Sequence, residues 1–476
     1  MNLASLKKGL AKKKSGEGFK VPHTLVIISI ILVIVAIATY IVPGGSYEKI
    51  VNEAGKTVVV DGSFKYIESN PQGIFALLQA PIQGIIAGAE IIAFLFVVGG
   101  SFNIITRTKA IDFGIVRIVN VFKGKEILII PILFTIFSLG GAVFGMTEEA
   151  IPFITMMVPL VLVLGYDSIV AVAITYLACN TGFAAAMLNP FNVGIAQSIA
   201  ELPMYSGIEY RTIVWIVSTI ASIIFIMFYA NKIKKNPKLS PVYESDEKKR
   251  QSLSSVENID DKISLPHKII LLLLVACIGI IIWGVLAKGF WITEIGSVFL
   301  AIGVLSGIIG RLSADEMADA FIQGAKDMIG AAIMLGFARA ILIIAENSNI
   351  IDTILFQLAR VIGTIPGILA SYIMLPVQMI INFFISSGSG QAALTMPILA
   401  PLGDLVGISR QLTVLIFQLG DGFSNAMFPT SGILIACIGL GGIPYSKWLK
   451  WILPLQAILF TLGIVFITIA QVIGWS

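Results

Sequence analysis

Segments from one half of this chain return in the other half, each 240 positions later. Gly182-Phe183-Ala184-Ala185-Ala186-Met187 comes back as Gly422-Phe423-Ser424-Asn425-Ala426-Met427, and Ile82-Gln83-Gly84 as Ile322-Gln323-Gly324. Ile111-Asp112 returns as Ile351-Asp352, and Tyr205-Ser206 as Tyr445-Ser446. Self-similarity at one fixed offset requires two like units packed on each other. Those units are apolar. Hydrophobic residues make up 57% of the chain and charged residues 13%, against about 25% charged in a soluble domain. Mean hydropathy is +0.94, and the apolar runs are roughly 18–22 residues long, enough for a helix to cross a bilayer. The fold class expected is an all-α integral membrane protein built from two repeats, embedded in the lipid bilayer.

Composition narrows the chemistry further. The longest polar stretch, 231–264, is too short for a soluble domain. Cys179, Cys277 and Cys437 lie far apart in apolar runs, so neither a disulfide framework nor a metal site is expected. His23 and His267 each follow a proline at the start of a hydrophobic run and have no partner for zinc. No metal, cofactor or nucleic-acid partner is therefore expected, apart from Na⁺ or H⁺ as a coupling ion. The net charge of +4 matters less than where the charge sits. Lys7, Lys8, Lys12, Lys13, Lys14 and Lys20 place the N-terminus in the cytoplasm. The first apolar run ends at Val42-Pro43-Gly44 with no small-x-small cleavage site, which argues against a signal peptide. The basic arm also suits anionic lipid.

The domain organisation expected runs as follows. Residues 1–23 form the basic arm. Residues 24–72 hold the first span (Thr24–Val42) and an external loop with strand signals at Val58-Val59-Val60 and a turn at Asn52-Glu53-Ala54-Gly55. Residues 73–230 are repeat 1: a span at Gln83–Ile105, an interfacial arm at Ala110–Phe122, a broken apolar stretch at 126–165, an interrupted span at 168–198 and a return at Thr212–Ala230. The linker 231–265, rich in Lys, Ser, Asp and Glu, is expected to be mobile and cytoplasmic. Residues 266–312 add a pair of spans, and 313–476 form repeat 2, with a span at Lys326–Ala345, a broken stretch at 367–402, an interrupted span at 411–440 and a last span at Lys450–Val472. The extra span Ile292–Gly310 makes the second core enter from the opposite face, so the repeats are inverted. Arg107, Lys109, Arg117, Lys123 and Lys125 flank one core, and only Arg360 flanks the matching stretch of the other. The count is about nine spans plus two re-entrant hairpins, with the C-terminus outside. Counting each hairpin as two full spans is the alternative.

Broken helices at membrane depth must line a cavity enclosed by protein, so the candidate site residues sit at the breaks. An offset of 242 aligns Pro159 with Pro401 and Gly165 with Gly407, and sets Glu149 opposite Gln391. The hairpin tips offer Thr147, Glu148 and Glu149 on one side and Ser387, Ser389 and Gln391 on the other. The interrupted spans offer Asn180, Thr181, Asn189 and Asn192, and then Asp421, Asn425, Thr430 and Ser431. Adjacent carboxylates inside a membrane are costly and so point to function. Glu148 and Glu149 suit a cationic substrate, Na⁺ or a proton, and Na⁺ near Glu148 and Asp421 is one reading. The asparagines either ligate substrate or cap broken helices. Arg339 holds a substrate carboxylate, pairs with an acid, or snorkels to the membrane edge. Glu90 reads as interfacial, and Asp112 and Asp352 as structural. No residue is catalytic: Gly388-Ser389-Gly390 has no histidine placed to activate the serine.

Two apolar repeats with glycine- and proline-broken helices are the signature of a secondary transporter. A channel would need a continuous polar stripe or subunits around an axis, and an enzyme a nucleophile with its base. The tip Ser386–Ala393 with Met396-Pro397-Ile398-Leu399-Ala400-Pro401-Leu402 resembles the second-hairpin motif of the YfcC/DcuC-type carriers. Gly145-Met146-Thr147-Glu148-Glu149 and Met187-Leu188-Asn189-Pro190-Phe191-Asn192-Val193-Gly194 carry the same resemblance, which covers nearly the whole chain. It implies the ion transporter superfamily, similar to the dicarboxylate/sodium symporters and the AbgT-type carriers. It also implies a homodimer with a scaffold and an elevator-type transport domain, in a bacterial-type cell membrane. The symporter branch carries Ser-Asn-Thr at both tips, and this chain departs from that pattern. Some members are similar to C4-dicarboxylate carriers and others to arginine/ornithine exchangers. The acidic first tip favours a small basic amino acid as substrate, and a Na⁺- or H⁺-coupled C4-dicarboxylate carrier is the alternative.

Overall fold

The structure, a computed structural model, describes residues 24–51, 57–253, 264–365 and 367–476. The basic arm with His23, the turn at Asn52–Gly55 and linker residues 254–263 lie outside the described residues. Helix α1 (Thr24–Ala38) leads into four short strands, β1 (Gly45–Ser46), β2 (Lys49–Val51), β3 (Thr57–Val59) and β4 (Lys65–Tyr66). They pair antiparallel, β1 with β4 and β2 with β3, so the strand signal of the loop is real. Repeat 1 follows as α2 (Ile74–Ala87), α3 (Ala89–Arg107), α4 (Ala110–Val121), α5 (Ile129–Phe144) and α6 (Ala150–Val163). Next come α7 (Ser168–Val172), a π turn (Ala173–Leu177), α8 (Ala178–Ala184), a second π turn (Pro190–Gly194), α9 (Ile195–Ile199) and α10 (Ile208–Lys235). The connection holds α11 (Tyr243–Leu253), and the added pair is α12 (Leu265–Lys288) and α13 (Ile292–Ile309). Repeat 2 is α14 (Ala314–Asp327), α15 (Ile329–Asn347), α16 (Ile350–Ile362), α17 (Gly367–Phe384), α18 (Gly388–Leu405), α19 (Arg410–Asn425), α20 (Gly432–Leu440) and α21 (Tyr445–Val472).

Among the described residues, seven helices are long and apolar enough to cross a membrane: α3, α5 with its preceding turn, α10, α13, α15, α17 and α21. The outer face of α10 shows why these are not soluble helices. Ile216, Ile220, Ile224 and Phe228 recur one turn apart and are 42–74% exposed. A continuous exposed apolar stripe of that kind is stable only against lipid or another apolar surface.

The repeated glycines are contact points. Two long helices, each broken near its middle, run antiparallel: α2–α3 and α14–α15. A Cβ on Gly84 would strike the backbone of Gly336 and Ala340, and one on Gly324 the backbone of Gly99. Gly99 and Arg339 are equivalent positions, so Gly84 and Gly324 make the same contact with the two repeats exchanged. Small residues let membrane helices pack backbone to backbone in this way. The other repeated pair works alike. Gly182 of α8 lies on the carbonyl of Ser138 in α5, and Gly422 of α19 on Ala184 of α8. The α5–α6 arms straddle α7–α8, and the α17–α18 arms straddle α19. At about 1.5 Å per residue, the 14 residues of α6 fall short of a bilayer core of about 30 Å.

Several boundaries differ from the sequence reading. The second span does not begin at Gln83; it is the lower part of a helix pair split at Gly88. Cys179–Gly182 and Gly420–Gly422 are helical, because those glycines serve close packing and do not unwind the chain. The breaks come later, at 185–189 and 426–431. The linker is not free over its first part. Asp246 of α11 is fully buried and accepts from Ser168 N (2.7 Å), Ser168 Oγ (2.5 Å) and Lys249 Nζ (2.8 Å). Lys249 also reaches the carbonyl of Gly441 (2.6 Å), which ties the linker to both repeats. Charge density predicts solvation, but this cluster satisfies its charges against helix ends.

Candidate functional site

A cavity of about 200 Å³ opens where the two hairpin tips, the two broken helices and the split of the long helices meet. This is smaller than the roughly 300–1,000 Å³ of typical pockets for drug-sized ligands and suits a small metabolite. The first tip contributes Gly145, Thr147 and Glu148, and the second Ser386, Ser387, Gly388 and Ser389. Asn180 and Tyr176 come from the first broken helix, and Asn425, Ser431 and Gly432 from the second. Arg339 of α15 and Glu90 of α3 project from the long helices, so the cavity is shared between two sets of elements.

Its electrostatics are polarised. Two helix N-termini end at the cavity: Ser387 caps α18 by accepting from Gly390 N (3.4 Å), and Ser431 caps α20 by accepting from Leu434 N (3.5 Å). Free N–H groups at such ends favour an anion. Arg339 is half-buried and has no hydrogen bond or ion pair among the described residues. Glu148, also half-buried, accepts among the described residues only from the neighbouring Thr147 hydroxyl. A guanidinium and a carboxylate that make no ion pair among the described residues thus face one small space.

The predicted residues divide into two groups. Thr147, Glu148, Asn180, Arg339, Ser387, Ser389, Asn425 and Ser431 line the cavity together. Glu149, Thr181, Asn189, Asn192, Gln391, Asp421 and Thr430 are buried and do not line it. Glu149 folds back on the turn and accepts from Thr147 N (3.1 Å). Asn189 is a cap, accepting from Phe191 N (2.9 Å) and Asn192 N (3.3 Å). Gln391 donates to Gln378 across the second hairpin (2.7 Å). Asp421 lies one layer behind the second tip. It accepts from Asn192 and Asn425 (3.3 Å each), and a Cβ on Gly388 would sit 3.0 Å from its Oδ2. Asn382 braces this layer, donating to Ser424 Oγ (2.7 Å) and Asn425 Oδ1 (2.9 Å). The two asparagines bonded to it, Asn192 and Asn382, each keep a buried amide oxygen without a donor among the described residues.

Matching the chain against known families decides its kinship. The model of the DcuC family, C4-dicarboxylate anaerobic carrier, matches residues 21–472. The chain belongs to the DcuC family. Its relatives include the putative basic amino acid antiporter YfcC of Escherichia coli (strain K12), 39% identical over 98% of this chain and 99% of that protein. An uncharacterised protein of Haemophilus influenzae is 29% identical over 96% and 98% of the two chains. Among solved structures, the YdaH transporter of Alcanivorax borkumensis aligns over 95% of this chain and 99% of its own, with a TM-score of 0.42 and 14% identity. Neisseria gonorrhoeae MtrF, described with a class of antimetabolite efflux pumps, covers 94% and 95% with a TM-score of 0.41 and 17% identity. As a DcuC-family chain this protein is an integral membrane protein of a transporter family.

Sequence reasoning missed several lining residues of this DcuC-family chain. Glu90 read as interfacial because it lies near the end of an apolar run; it is exposed, and with the split at Gly88 beside it, it lines the cavity. Trp291 and Phe191 meet in a tilted contact at the cavity wall with ring centroids 4.9 Å apart, from segments separated by the linker. The one available signal was Gly88 itself, two residues before an acid in an apolar run. A second intramembrane arginine, Arg211, is fully buried away from the cavity. It is held by Gln418 and Gln411 and lies 5.3 Å from the Trp475 ring.

Proposed function

We propose that this protein is a secondary carrier that exchanges basic amino acids across a bacterial-type cell membrane. The observation that carries the reading is the pair of unsatisfied opposite charges, Arg339 and Glu148, facing one cavity of about 200 Å³. An amino acid satisfies both ends. Its carboxylate goes to Arg339 and the N-termini of α18 and α20, and a cationic group goes to Glu148. The name of the 39% identical relative agrees with this reading. The movement is alternating access of elevator type: hairpins and broken helices carry the substrate past the long helices α2–α3 and α14–α15. In this reading the chain makes about nine spans with two re-entrant hairpins, N-terminus inside and C-terminus outside, and works as a homodimer. A coupling Na⁺ or H⁺ would use Asp421, where the unpartnered oxygens of Asn192 and Asn382 supply the hard ligands that Na⁺ takes.

The second reading is a C4-dicarboxylate carrier, after the family's description. Arg339 at the cavity favours it, but Glu148 opposes a dianion unless a proton or Na⁺ enters with it. Counterflow in proteoliposomes separates the two. Vesicles loaded with ornithine should accumulate labelled arginine, and a Glu148→Gln, Glu149→Gln double variant should lose that accumulation. Succinate accumulation in succinate-loaded vesicles, with no arginine exchange, refutes the basic amino acid reading.

A further inference from the structure

The charged side chains lining the cavity are Glu90, Glu148 and Arg339. Together they leave one negative charge uncompensated. An amino acid with a single ammonium group satisfies Arg339 and Glu148 and leaves Glu90 without a partner. A ligand with one carboxylate and two cationic groups matches all three.

The surroundings of Glu90 suit the second cation. Helices α3 and α13 run parallel in fixed register, with Gly296 against Phe94 and Gly303 against Ser101. That register sets Glu90, in the first turn of α3, level with Ile292, the residue after Trp291. Trp291 is 40% exposed and lines the cavity beside Phe191, with the ring planes at 54°. Glu90 has no hydrogen bond or ion pair among the described residues and is exposed toward this space. A carboxylate next to tilted aromatic faces is a cation receptor, and the flat guanidinium uses the ring faces best.

We propose that Glu90, with Trp291 and Phe191, forms a subsite for the side-chain cation and so makes the carrier prefer basic over neutral amino acids. This inference rests on the exchange reading above and adds a specificity-determining residue to it. Glu90 and Trp291 stand on the long-helix side of the cavity, and Phe191 on the broken-helix side. The subsite is therefore complete only while the two sides face each other as they do here.

The test is competition against labelled arginine in ornithine-loaded proteoliposomes, with unlabelled arginine, ornithine and citrulline. Citrulline has nearly arginine's shape without the charge. In the wild type it should compete about fivefold more weakly than arginine, the upper end for one partly solvated ion pair. Glu90→Gln should bring that ratio close to one, and Glu90→Asp should restore most of it. Trp291→Leu should weaken arginine more than ornithine, with Trp291→Phe close to wild type. Should Glu90→Gln not transport, the same ratio is read as ligand-dependent thermal stabilisation of the purified variant. An arginine-to-citrulline ratio unchanged by Glu90→Gln overturns the subsite while leaving arginine exchange intact. Wild-type vesicles that exchange succinate and not arginine overturn the reading beneath it.

Discussion

Asp246→Ala should loosen the connecting helix α11 from the start of the first broken helix at Ser168. The carboxylate is fully buried and holds the Ser168 amide, the Ser168 hydroxyl and the Lys249 ammonium within 2.5–2.8 Å. Removing one partner of a buried ion pair costs about 3–5 kcal/mol, and an orphaned amide about 1–3 kcal/mol. Here Lys249 is 29% exposed and keeps the carbonyl of Gly441, so the low end applies, about 3 kcal/mol. At 1.4 kcal/mol per tenfold, that is about a hundredfold in the local opening equilibrium. Hydrogen exchange of purified protein reads it directly, as faster exchange of the Ser168–Val172 amides and of α11. Lys249→Ala should act in the same direction, because it removes the bonds to Ser168 Oγ (2.8 Å) and to the Gly441 carbonyl and leaves Asp246 buried without its cation. Exchange within about threefold of wild type in Asp246→Ala would refute the claim that this contact holds the linker.

Three further outcomes follow from named contacts. Arg339→Gln should raise the half-saturating arginine concentration at least about tenfold, yet leave the thermal midpoint of the empty protein within a degree, since the guanidinium makes no hydrogen bond or close ion pair among the described residues; a large midpoint drop contradicts the cavity role. Gly422→Val should destabilise by about 1–3 kcal/mol or more through collision with Ala184, seen as a lower melting midpoint in detergent, and an unchanged midpoint refutes the close approach. Asp167 is the N-cap of α7, accepting from Val170 N (3.0 Å), Ser240 Oγ (2.6 Å) and the Tyr229 hydroxyl. Burial pushes its carboxyl above the ordinary value, only partly offset by those donors. Because the folded value exceeds the unfolded one, this group's contribution is best when protonated and is lost as pH rises from the unfolded value toward the folded one. Asp167→Asn should therefore flatten the fall of the melting midpoint with rising pH, and an equal slope in both proteins refutes it.

Both hairpin tips are legible in the amino-acid sequence alone. Gly145–Glu149 and Ser386–Gln391 are polar interruptions in long apolar runs, and a helix in lipid has few other reasons to break. The cavity residues at those tips, Glu148, Ser387 and Ser389, follow from that alone. The broken helices are legible too, but their break points are not. Glycine signals both an unwound turn and a close contact, and Gly182 and Gly422 serve the second purpose. Asp421 stands out as a costly intramembrane acid, but the chain does not say that the amides of Asn192 and Asn425 hold it one layer behind the tip.

The sequence by itself determined the apolar class, the duplication, the number of breaks and the chemistry available at each. These depend on local composition and on spacing along one chain, where hydrophobic periodicity and helix breaking act over a few turns. Only the tertiary structure decided which residues share the cavity. Glu90, Arg339, Trp291 and Phe191 come from four segments, and the Gly88 split and the Gly84 and Gly324 contacts set how those segments cross. Such crossings follow from backbone approach between distant helices, a property of pairs of surfaces that no single stretch of sequence carries.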